Sequence, residues 1–155
     1  MYTVRKAEQR DLDFMNNALF ELNKMHHEAV PSEFKPPEEV DASKSLTRYI
    51  TEDSCFAYVA EKAGEPIGFI AGHVKELLSP ITKSRSMGSI DELFVAASHR
   101  REGIGSKLLA ELESECKQRN ATDVFVEIWE FNEKARQFYE AHGLCTRVRW
   151  AGKKL

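Results

Sequence analysis

Residues 93–106 read Leu-Phe-Val-Ala-Ala-Ser-His-Arg-Arg-Glu-Gly-Ile-Gly-Ser, and this stretch is the most informative pattern in the sequence. Apolar residues predict a strand that ends at Val95; a charged loop follows, and Gly103 and Gly105 open a segment with apolar residues at helical spacing. The first turn of a helix carries unpaired backbone N–H groups and the positive end of the helix dipole. A strand, a glycine-containing loop and a helix start therefore predict a phosphate-binding site.

The residues of this loop fit such a site. Gly103 and Gly105 let the backbone approach a pyrophosphate without obstruction by a Cβ atom, and Arg100 and Arg101 can add charge-assisted contacts. Two better-known phosphate loops are excluded by spacing. A P-loop needs Gly-x-x-x-x-Gly-Lys-Ser/Thr, and the dinucleotide fingerprint needs a third glycine where Leu108 stands. On its own, Gly-x-Gly is also typical of tight helix entries.

Outward from this stretch, hydrophobic patterns predict one mixed α/β (α+β) domain over residues 1–155. Strand patterns are found at residues 2–5, 55–61, 67–74, 90–95, 123–129 and 145–150. Helical spacing is found after a cap at Asp11, over residues 37–50, behind Gly103 and over residues 132–142. We expect a central mixed sheet of about six to seven strands with about four helices.

The composition is that of an ordinary globular protein, with 42% hydrophobic and 30% charged residues. A net charge of −3 gives no bulk electrostatic reason to expect nucleic acid as a partner. No apolar run approaches the ~20 residues that cross a bilayer, and the first residues lead into charges rather than a signal-peptide core. We expect a cytoplasmic protein that binds neither membrane nor nucleic acid.

Cysteines and histidines show no metal-binding pattern. Cys55, Cys116 and Cys145 are widely spaced and odd in number, which is typical of small side chains in a reducing compartment. His26 and His27 are adjacent, so a helix would point them about 100° apart. We expect no metal.

A second informative stretch lies near the C-terminus, where residues 132–144 read Asn-Glu-Lys-Ala-Arg-Gln-Phe-Tyr-Glu-Ala-His-Gly-Leu. It resembles the Asn-x-x-Ala-x-x-Phe-Tyr-x-x-x-Gly-Phe segment of the GCN5-related N-acetyltransferases, with Leu144 in place of the usual phenylalanine. Arg100-x-x-Gly103-x-Gly105 resembles the coenzyme A pyrophosphate motif of the same family. The order of predicted elements is similar to the family over nearly the whole chain.

Two residues near the glycines depart from the family pattern. The family often has proline where Ala97 stands and glycine where Arg101 stands. Neither position needs its side chain for phosphate binding, because backbone N–H groups make those contacts. We therefore expect cofactor binding to be retained.

The resemblance implies a cofactor and a place for it. Acetyl-coenzyme A (acetyl-CoA) would be the co-substrate, with its pantetheine arm inserted like an extra strand between parallel strands 90–95 and 123–129, which splay apart. Backbone groups of Leu93, Phe94 and Val95 would contact the pantetheine and the acetyl carbonyl, although Leu93 and Val95 are also core side chains. The residues expected at the pyrophosphate are Arg100, Arg101, Glu102, Gly103, Ile104, Gly105 and Ser106.

Tyr139 occupies the position where the family often has a general acid, which would protonate the departing thiolate. The alternative is packing, since Ala135, Phe138, Tyr139 and His142 form one helical stripe. Asn132, in the family, hydrogen-bonds the pantetheine arm, and it would also make a good helix N-cap.

The attacking amine must lose a proton, because an alkylamine with a pKa near ~10.4 is only about one part in 10³ neutral at pH 7. Asp91 and Glu92 lie on the strand that borders the site, and as neighbours they point to opposite faces unless a bulge re-aims one. The pair is similar, in reverse order, to the Glu-Asp pair of the family's polyamine acetyltransferases. Glu92 is favoured as the base over Asp91, and Glu127 on the facing strand is next. A solvated or ion-paired carboxylate is the alternative for each.

Charge suggests the class of acceptor. In the family the first helices and the loop between them shape the acceptor side of the cleft. Here residues 26–41 of that region include one lysine and five acidic residues, namely Lys35 against Glu28, Glu33, Glu38, Glu39 and Asp41. A negative cleft would attract cationic amines such as a polyamine or an aminoglycoside, although a solvated acidic loop is the favoured alternative. His26 and His27 could touch the substrate, but surface histidines are commoner.

These features together predict acetyl transfer from acetyl-CoA to a primary amine by direct attack in a ternary complex. A route through an acetylated cysteine is disfavoured, because no cysteine is placed beside a base. Two other functions stay open, a protein or peptide N-acetyltransferase and a non-enzymatic acyl-CoA-binding module. The C-terminal strand, residues 145–150, could pair across a homodimer interface.

Overall fold

Five strands form one mixed sheet in a computed structural model of the chain, which describes residues 1–41 and 45–155. In chain order, and also in sheet order, they are β1 (Thr3–Lys6), β2 (Cys55–Lys62), β3 (Glu65–Leu77), β4 (Arg85–Val95) and β5 (Asp123–Val126). The pairs β1/β2, β2/β3 and β3/β4 are antiparallel, whereas β4/β5 is parallel. A parallel partner requires a crossover connection, and the helix between β4 and β5 provides it.

The α-helices of the described residues are α1 (Leu12–Ala29), α2 (Pro37–Asp41), α3 (Arg48–Thr51), α4 (Ile104–Gln118) and α5 (Glu133–Ala141). Within residues 1–41 and 45–155, no helix is long and apolar enough to span a membrane. The mixed α/β class is therefore confirmed, with five strands instead of six to seven and five α-helices instead of about four.

Two hydrophobic clusters lie on opposite faces of the sheet. On one, the α4 face, Leu108 of α4 belongs to the same buried cluster as Ile90 of β4. On the other, the α1 face, Leu19 of α1 belongs to the same buried cluster as Phe94 of β4. Burial of this apolar surface is the main force that holds the helices on the sheet.

The two parallel strands are paired over only part of β4. Residues 87–90 pair with residues 123–126, and β5 then ends. Residues 91–95 of β4 keep their antiparallel partners on β3 apart from one irregularity, but they have no strand on the β5 side. The predicted splay of two parallel strands is confirmed, but β5 is the edge strand of this sheet and not a central one.

A β-bulge interrupts β4 where the splay begins. Residues 71–72 of β3 pair with Glu92 and Ile90, so Asp91 is the extra residue. Ile90 lies in the α4-face cluster and Phe94 in the α1-face cluster. Strict alternation would put residues four apart on the same face, so the bulge has reversed the alternation.

Two predictions about the helices are wrong. The predicted helix over residues 37–50 is divided into α2 and α3, because residues 45–47 are not helical; its residues 42–44 lie outside the described residues. Asp11 does not cap α1 with its side chain. Its carboxylate instead accepts hydrogen bonds from Arg5 at 2.7 and 2.9 Å.

The predicted strand over residues 145–150 is not formed. Within the described part of the chain, no backbone hydrogen bond joins residues 145–155 to another segment, and β5 ends at Val126 instead of continuing to residue 129. A strand needs a ladder partner for its backbone groups, and neither segment supplies one to the other. Val148 and Trp150 are instead 83% and 96% exposed, and the homodimer stays a prediction.

Candidate active site

The loop before α4 presents backbone N–H groups that no backbone carbonyl accepts. Arg101 and Gly103 have left-handed φ angles of 68° and 78°, which turn the chain sharply into the helix. Among the described residues, no backbone N–H group of residues 101–106 donates to a backbone carbonyl, and the first helical bond runs from Lys107 to Gly103. A row of unpaired donors at a helix N-terminus favours an anion.

Gly105 allows α5 to pack directly on the first turn of α4. A Cβ atom at Gly105 would lie 3.3 Å from Cε2 of Phe138, which is closer than ordinary van der Waals contact. The structure therefore adds a packing reason for this glycine to the predicted one, which is close approach of the backbone to phosphate.

Three side chains of the same loop have partners of their own. Arg100 Nε donates to the carbonyl of Val95 at 3.0 Å, and Glu102 forms an ion pair of 3.6 Å with a lysine at the end of β2. The Ser106 hydroxyl lies 2.9 Å from Nε2 of His142. Because Nδ1 of His142 donates to a backbone carbonyl, Nε2 of the neutral ring accepts from Ser106. In this structure the unpaired backbone N–H groups of the loop are more available to an anion than these three side chains are.

The splayed half of β4 directs backbone groups into the space beside it. The N–H group of Ala96 donates to the carbonyl of Ile67 on the β3 side at 2.9 Å. In an antiparallel ladder alternate residues point to the same partner, so the backbone of Phe94 points to β3. The backbone groups of Leu93 and Val95 consequently point into the gap that β5 leaves.

Helix α5 places Tyr139 at this gap. Asn132 caps the helix, since its Oδ1 accepts from the N–H group of Ala135 at 3.2 Å. Tyr139 is 6% exposed, and no described residue hydrogen-bonds its hydroxyl. Burial raises the pKa of Tyr139, and the negative charge of Glu92 raises that pKa further. The phenol therefore stays protonated at neutral pH and can donate a proton.

Asp91 is held by three hydrogen-bond donors from three elements. The hydroxyl of Ser89 on β4 donates to Oδ1 at 2.6 Å. Tyr49 of α3 and Nδ1 of His73 on β3 both contact Oδ2, at 2.9 and 2.7 Å. Burial raises the pKa of Tyr49, and the charge and hydrogen bond of Asp91 raise that pKa further, so the hydroxyl remains a donor. These contacts fix the Asp91 carboxylate, which can in turn orient the side chains of Tyr49 and His73.

Glu92 lies within electrostatic reach of two tyrosines. Its charge raises the pKa of Tyr139 on α5 and of Tyr49 on α3. Glu127, the first residue after β5, is exposed and is not among the groups that shift the pKa of Tyr139. Of the predicted candidate bases, Glu92 is therefore the one that the structure associates with Tyr139.

Aromatic rings join the loop after α1 to the segment after β5. Phe34 lies 4.5 Å from Trp129 and 5.0 Å from His26, and His26 lies 5.4 Å from Phe131, measured between ring centroids. His27 Nδ1 is also occupied, at 2.7 Å from the carbonyl of Phe34. The acidic side chains that are exposed in this region are Glu28, Glu33, Glu38 and Glu39.

The sequence did not single out His73 or Tyr49. Alternation along β3 places His73 on the same face as Phe69, which was a usable signal, but its contact with Asp91 depends on the register between β3 and β4. Tyr49 is 4% exposed.

One cysteine of the described residues is deeply buried on α4. Cys116 is 1% exposed, and burial raises its pKa to about 11, so its thiol is protonated and a poor nucleophile. In the described part of the chain, no group of three His, Cys, Asp or Glu side chains is arranged to hold a metal ion.

Splayed parallel strands thus lie beside a helix start with unpaired N–H groups, and a buried phenol and a carboxylate lie at the splay. A sequence profile described as the acetyltransferase (GNAT) family matches residues 19–144. The chain belongs to this family.

Among curated proteins, an uncharacterised N-acetyltransferase of Archaeoglobus fulgidus is 33% identical over 95 residues, which are 61% of this chain and 63% of the relative. The chain thus spans less than two thirds of the length of this relative. An acetyltransferase structure from Vibrio fischeri has a TM-score of 0.66 at 35% identity, over 82% of this chain and 96% of that one.

Two further structures show the fold alone. The BH1408 protein from Bacillus halodurans has a TM-score of 0.86 at 17% identity, over 99% of both chains. The aminoglycoside acetyltransferase AAC(6')-Iy, in complex with the bisubstrate analog CoA-S-monomethyl-acetylneamine, has a TM-score of 0.71 at 15% identity, over 100% of this chain and 99% of that one.

Proposed function

We propose that residues 1–155 form a single N-acetyltransferase domain that moves the acetyl group of acetyl-CoA to a primary amine by direct attack in a ternary complex. One observation carries the proposal. The unpaired half of β4 directs backbone groups into a gap, and the gap lies next to the row of unpaired N–H groups at the start of α4. A ligand with an amide-containing arm and a phosphate end would satisfy both sets.

The cofactor would be held mainly by backbone. Pantetheine amides would pair with Leu93 and Val95, whose backbone groups point into the gap, and the Asn132 side chain would contact the same arm. The pyrophosphate would take the N–H groups of residues 101–106, including that of Arg101. The Arg100 guanidinium would add a charge-assisted contact on leaving the carbonyl of Val95. An N–H group in the gap would also stabilise the oxyanion that forms on the acetyl carbonyl.

Acid and base would come from Tyr139 and Glu92. The Tyr139 phenol is buried and protonated at neutral pH, so it can give a proton to the sulfur as the C–S bond breaks. Glu92 would take a proton from the attacking nitrogen. Their electrostatic coupling supports this pairing, because a proton on Glu92 would lower the cost of forming the phenolate.

The acceptor would be a cationic small molecule such as a polyamine or an aminoglycoside. The exposed carboxylates from the end of α1 through α2 support this class, because clustered negative side chains attract cations. Trp129 and Phe131, 38% and 36% exposed, add ring faces that can receive an ammonium group. The structural likeness to AAC(6')-Iy is consistent with an amine of this kind. A cytoplasmic location, and the lack of a nucleic-acid or membrane partner, stay predictions.

The test is release of coenzyme A thiol from acetyl-CoA in the presence of polyamines, aminoglycosides, amino acids or short peptides. We expect release with one amine class, and Tyr139→Phe and Glu92→Gln should each lower kcat at least about tenfold. The rise in melting temperature caused by coenzyme A should be unchanged in both variants. Tyr58→Phe is the matched control, because Tyr58 is also a buried tyrosine of the α4-face cluster but its hydroxyl donates to Glu115 at 2.5 Å.

Three other outcomes would change the proposal. If only peptides release thiol, the chain is a peptide N-acetyltransferase. If coenzyme A raises the melting temperature but no amine works, the chain is an acyl-CoA-binding module. If coenzyme A does not bind, the assignment of residues 101–106 is wrong.

A further inference from the structure

We propose that His73, oriented by Asp91, accepts the first proton from the ammonium group of the acceptor. This inference rests on the proposed function and adds a residue to it. The neutral amine then attacks, and its second proton goes to Glu92.

The imidazole of His73 is held in one tautomer. Its Nδ1 lies 2.7 Å from Oδ2 of Asp91, and a carboxylate oxygen can only accept, so Nδ1 carries the hydrogen. Nε2 is therefore the acceptor atom of the neutral ring. No described residue hydrogen-bonds Nε2, and the side chain is 23% exposed, so the lone pair is accessible to solvent or substrate.

Asp91 is itself fixed, which is what an orienting residue requires. Ser89 holds one oxygen at 2.6 Å, and Tyr49 shares the other with His73 at 2.9 Å. Asp91 lies two residues after Ser89, whose cross-strand partner is His73, so alternation puts Asp91 and His73 on the same α1 face. The bulge then brings Glu92, the partner of Ala71, to this face as well.

The imidazole also lies close to the splay. Ala71, two residues before His73, pairs with Glu92. Two residues of extended strand span about 7 Å, so His73 and Glu92 bracket one region of the α1 face. One water molecule between the acceptor nitrogen and Nε2 closes such a distance.

Titratable and charged side chains of both signs lie around His73. Strand β4 contributes Asp91 and Glu92, and helix α3 contributes Tyr49 and Arg48. From β2 the cross-strand partner is Cys55. On β3 itself, Lys75 lies on the same face, but its ammonium group is over the ring of Phe125 at 4.9 Å.

His73, Glu92 and Tyr139 each return to their starting protonation state, so the protons balance. An alkylammonium gives one proton to His73, which passes it to solvent, and the freed electron pair forms the N–C bond with the acetyl carbon. Glu92 removes the second proton from nitrogen while the C–S bond breaks and the sulfur takes the proton of Tyr139. The carboxylic acid of Glu92 then returns its proton to the phenolate. The net products are amide, free thiol and one proton.

An imidazole suits the first step better than a carboxylate. Model imidazole side chains have a pKa near ~6.5 and model glutamic acid near ~4.3, so imidazole is the stronger base toward an ammonium group. An ionised Asp91 then stabilises the imidazolium that forms, as in other carboxylate–histidine pairs.

The experiment compares His73→Gln with wild type on two amines that differ mainly in basicity, ethylamine and 2,2,2-trifluoroethylamine. Fluorination leaves most of the second amine already neutral at pH 7, so it needs no first deprotonation. We expect kcat/KM to fall about 10²-fold with ethylamine and less than threefold with the fluorinated amine. The deficit with ethylamine should also shrink as the pH is raised.

Three further variants separate this role from a structural one. Asp91→Asn should show the same selective loss at about one tenth of the size, since it loosens the orientation of His73 and removes the charge beside the imidazolium but keeps the imidazole itself. Tyr49→Phe removes the other donor from the same oxygen and should affect both amines equally and little. Glu92→Gln should slow both amines alike, because each must lose the second proton.

Equal losses with both amines in His73→Gln would overturn the role of His73 while leaving the acetyltransferase intact. Loss of the melting-temperature rise caused by coenzyme A in that variant would also overturn it, by showing a structural effect. If wild type acetylates neither these amines nor any in the wider panel, the proposed function fails, and the role of His73 fails with it.

Discussion

The two consecutive halves of β4, residues 87–90 and residues 91–95, have different roles. Residues 87–90 are paired with β3 on one edge and β5 on the other, and all four are buried. Residues 91–95 are paired only with β3, and all except Phe94 are partly exposed. The first half belongs to the scaffold, and the second carries the carboxylates and the unpaired backbone groups.

The bulge at Asp91 is the boundary between them. It reverses the side-chain alternation at the residue where pairing with β5 ceases, so the two carboxylates come to lie beyond the fully paired sheet. Backbone N–H and C=O groups without a strand partner are tolerated where water or a ligand reaches them. Unpaired backbone in an otherwise regular sheet is thus a sign of a binding site.

The largest expected effect is on the paired half. A Cβ atom at Gly88 would lie 2.4 Å from Sγ of Cys116, so Gly88→Ala must push α4 away from the sheet. We expect a loss of about 3 kcal/mol in the free energy of unfolding, measured by urea denaturation. Cys116→Ala in the same chain should restore most of the loss. A double variant as unstable as the single one would contradict this account.

The next effect concerns Glu115, which ties α4 to the scaffold. Burial alone would raise its pKa, but hydrogen bonds from Tyr58 and Arg119 and the charge of Lys6 lower it below the ordinary value. A lowered folded-state pKa stabilises the protein above the unfolded-state pKa, and that stabilisation is lost as the pH falls through the folded-state pKa. We expect Glu115→Gln to cost about 2 kcal/mol at pH 7, and the difference from wild type to shrink below about pH 4.

Urea denaturation at several pH values measures this difference, and affinity for coenzyme A at pH 7 should not change. A cost that is independent of pH would show that the carboxylate charge does not contribute.

A smaller effect separates two roles of Asn132. Asn132→Ala removes the helix cap and should cost about 1 kcal/mol, whereas Asn132→Asp keeps an oxygen for the N–H group of Ala135 and should cost a few tenths. Both variants lose the amide donor, so both should weaken coenzyme A binding about fivefold. Unchanged affinity in Asn132→Asp, measured by calorimetry, would confine this residue to capping.

The smallest effect is at Arg101. Its φ angle of 68° is unfavourable for a residue with a Cβ atom, so Arg101→Gly should stabilise the chain by about 0.5 kcal/mol in thermal or urea unfolding. Ala63, with a φ angle of 52° in the β2–β3 turn, is the matched position in the scaffold, and Ala63→Gly should behave alike. Coenzyme A affinity should change less than twofold for both variants. A larger loss in Arg101→Gly alone would show that its side chain binds phosphate.

Much of the α4 face could be predicted from sequence, because its signals are local. A strand, a Gly-x-Gly turn and helical spacing lie within one continuous stretch. Helix α5 begins directly after its cap Asn132 and ends two residues before Gly143, close to its predicted ends. The splay could be expected only through resemblance to the family, since no local pattern states where two strands part.

The α1 face could not be predicted in the same way, because its contacts are not local. Tyr49 and His73 meet Asp91 across 42 and 18 residues, and a single bulge decides which face Glu92 occupies. The strand predicted over residues 145–150 failed for a related reason. An alternating pattern shows that a segment can be a strand, but a strand forms only where another segment offers its hydrogen bonds.

Amide hydrogen exchange with and without coenzyme A shows whether the splayed half of β4 binds the cofactor. We predict that coenzyme A slows exchange at Leu93, Val95 and residues 101–106. Exchange at residues 87–90 should be unchanged, because their hydrogen bonds are already made. Protection confined to other segments, or equal protection in both halves of β4, would contradict the claim that the splayed half is the cofactor site.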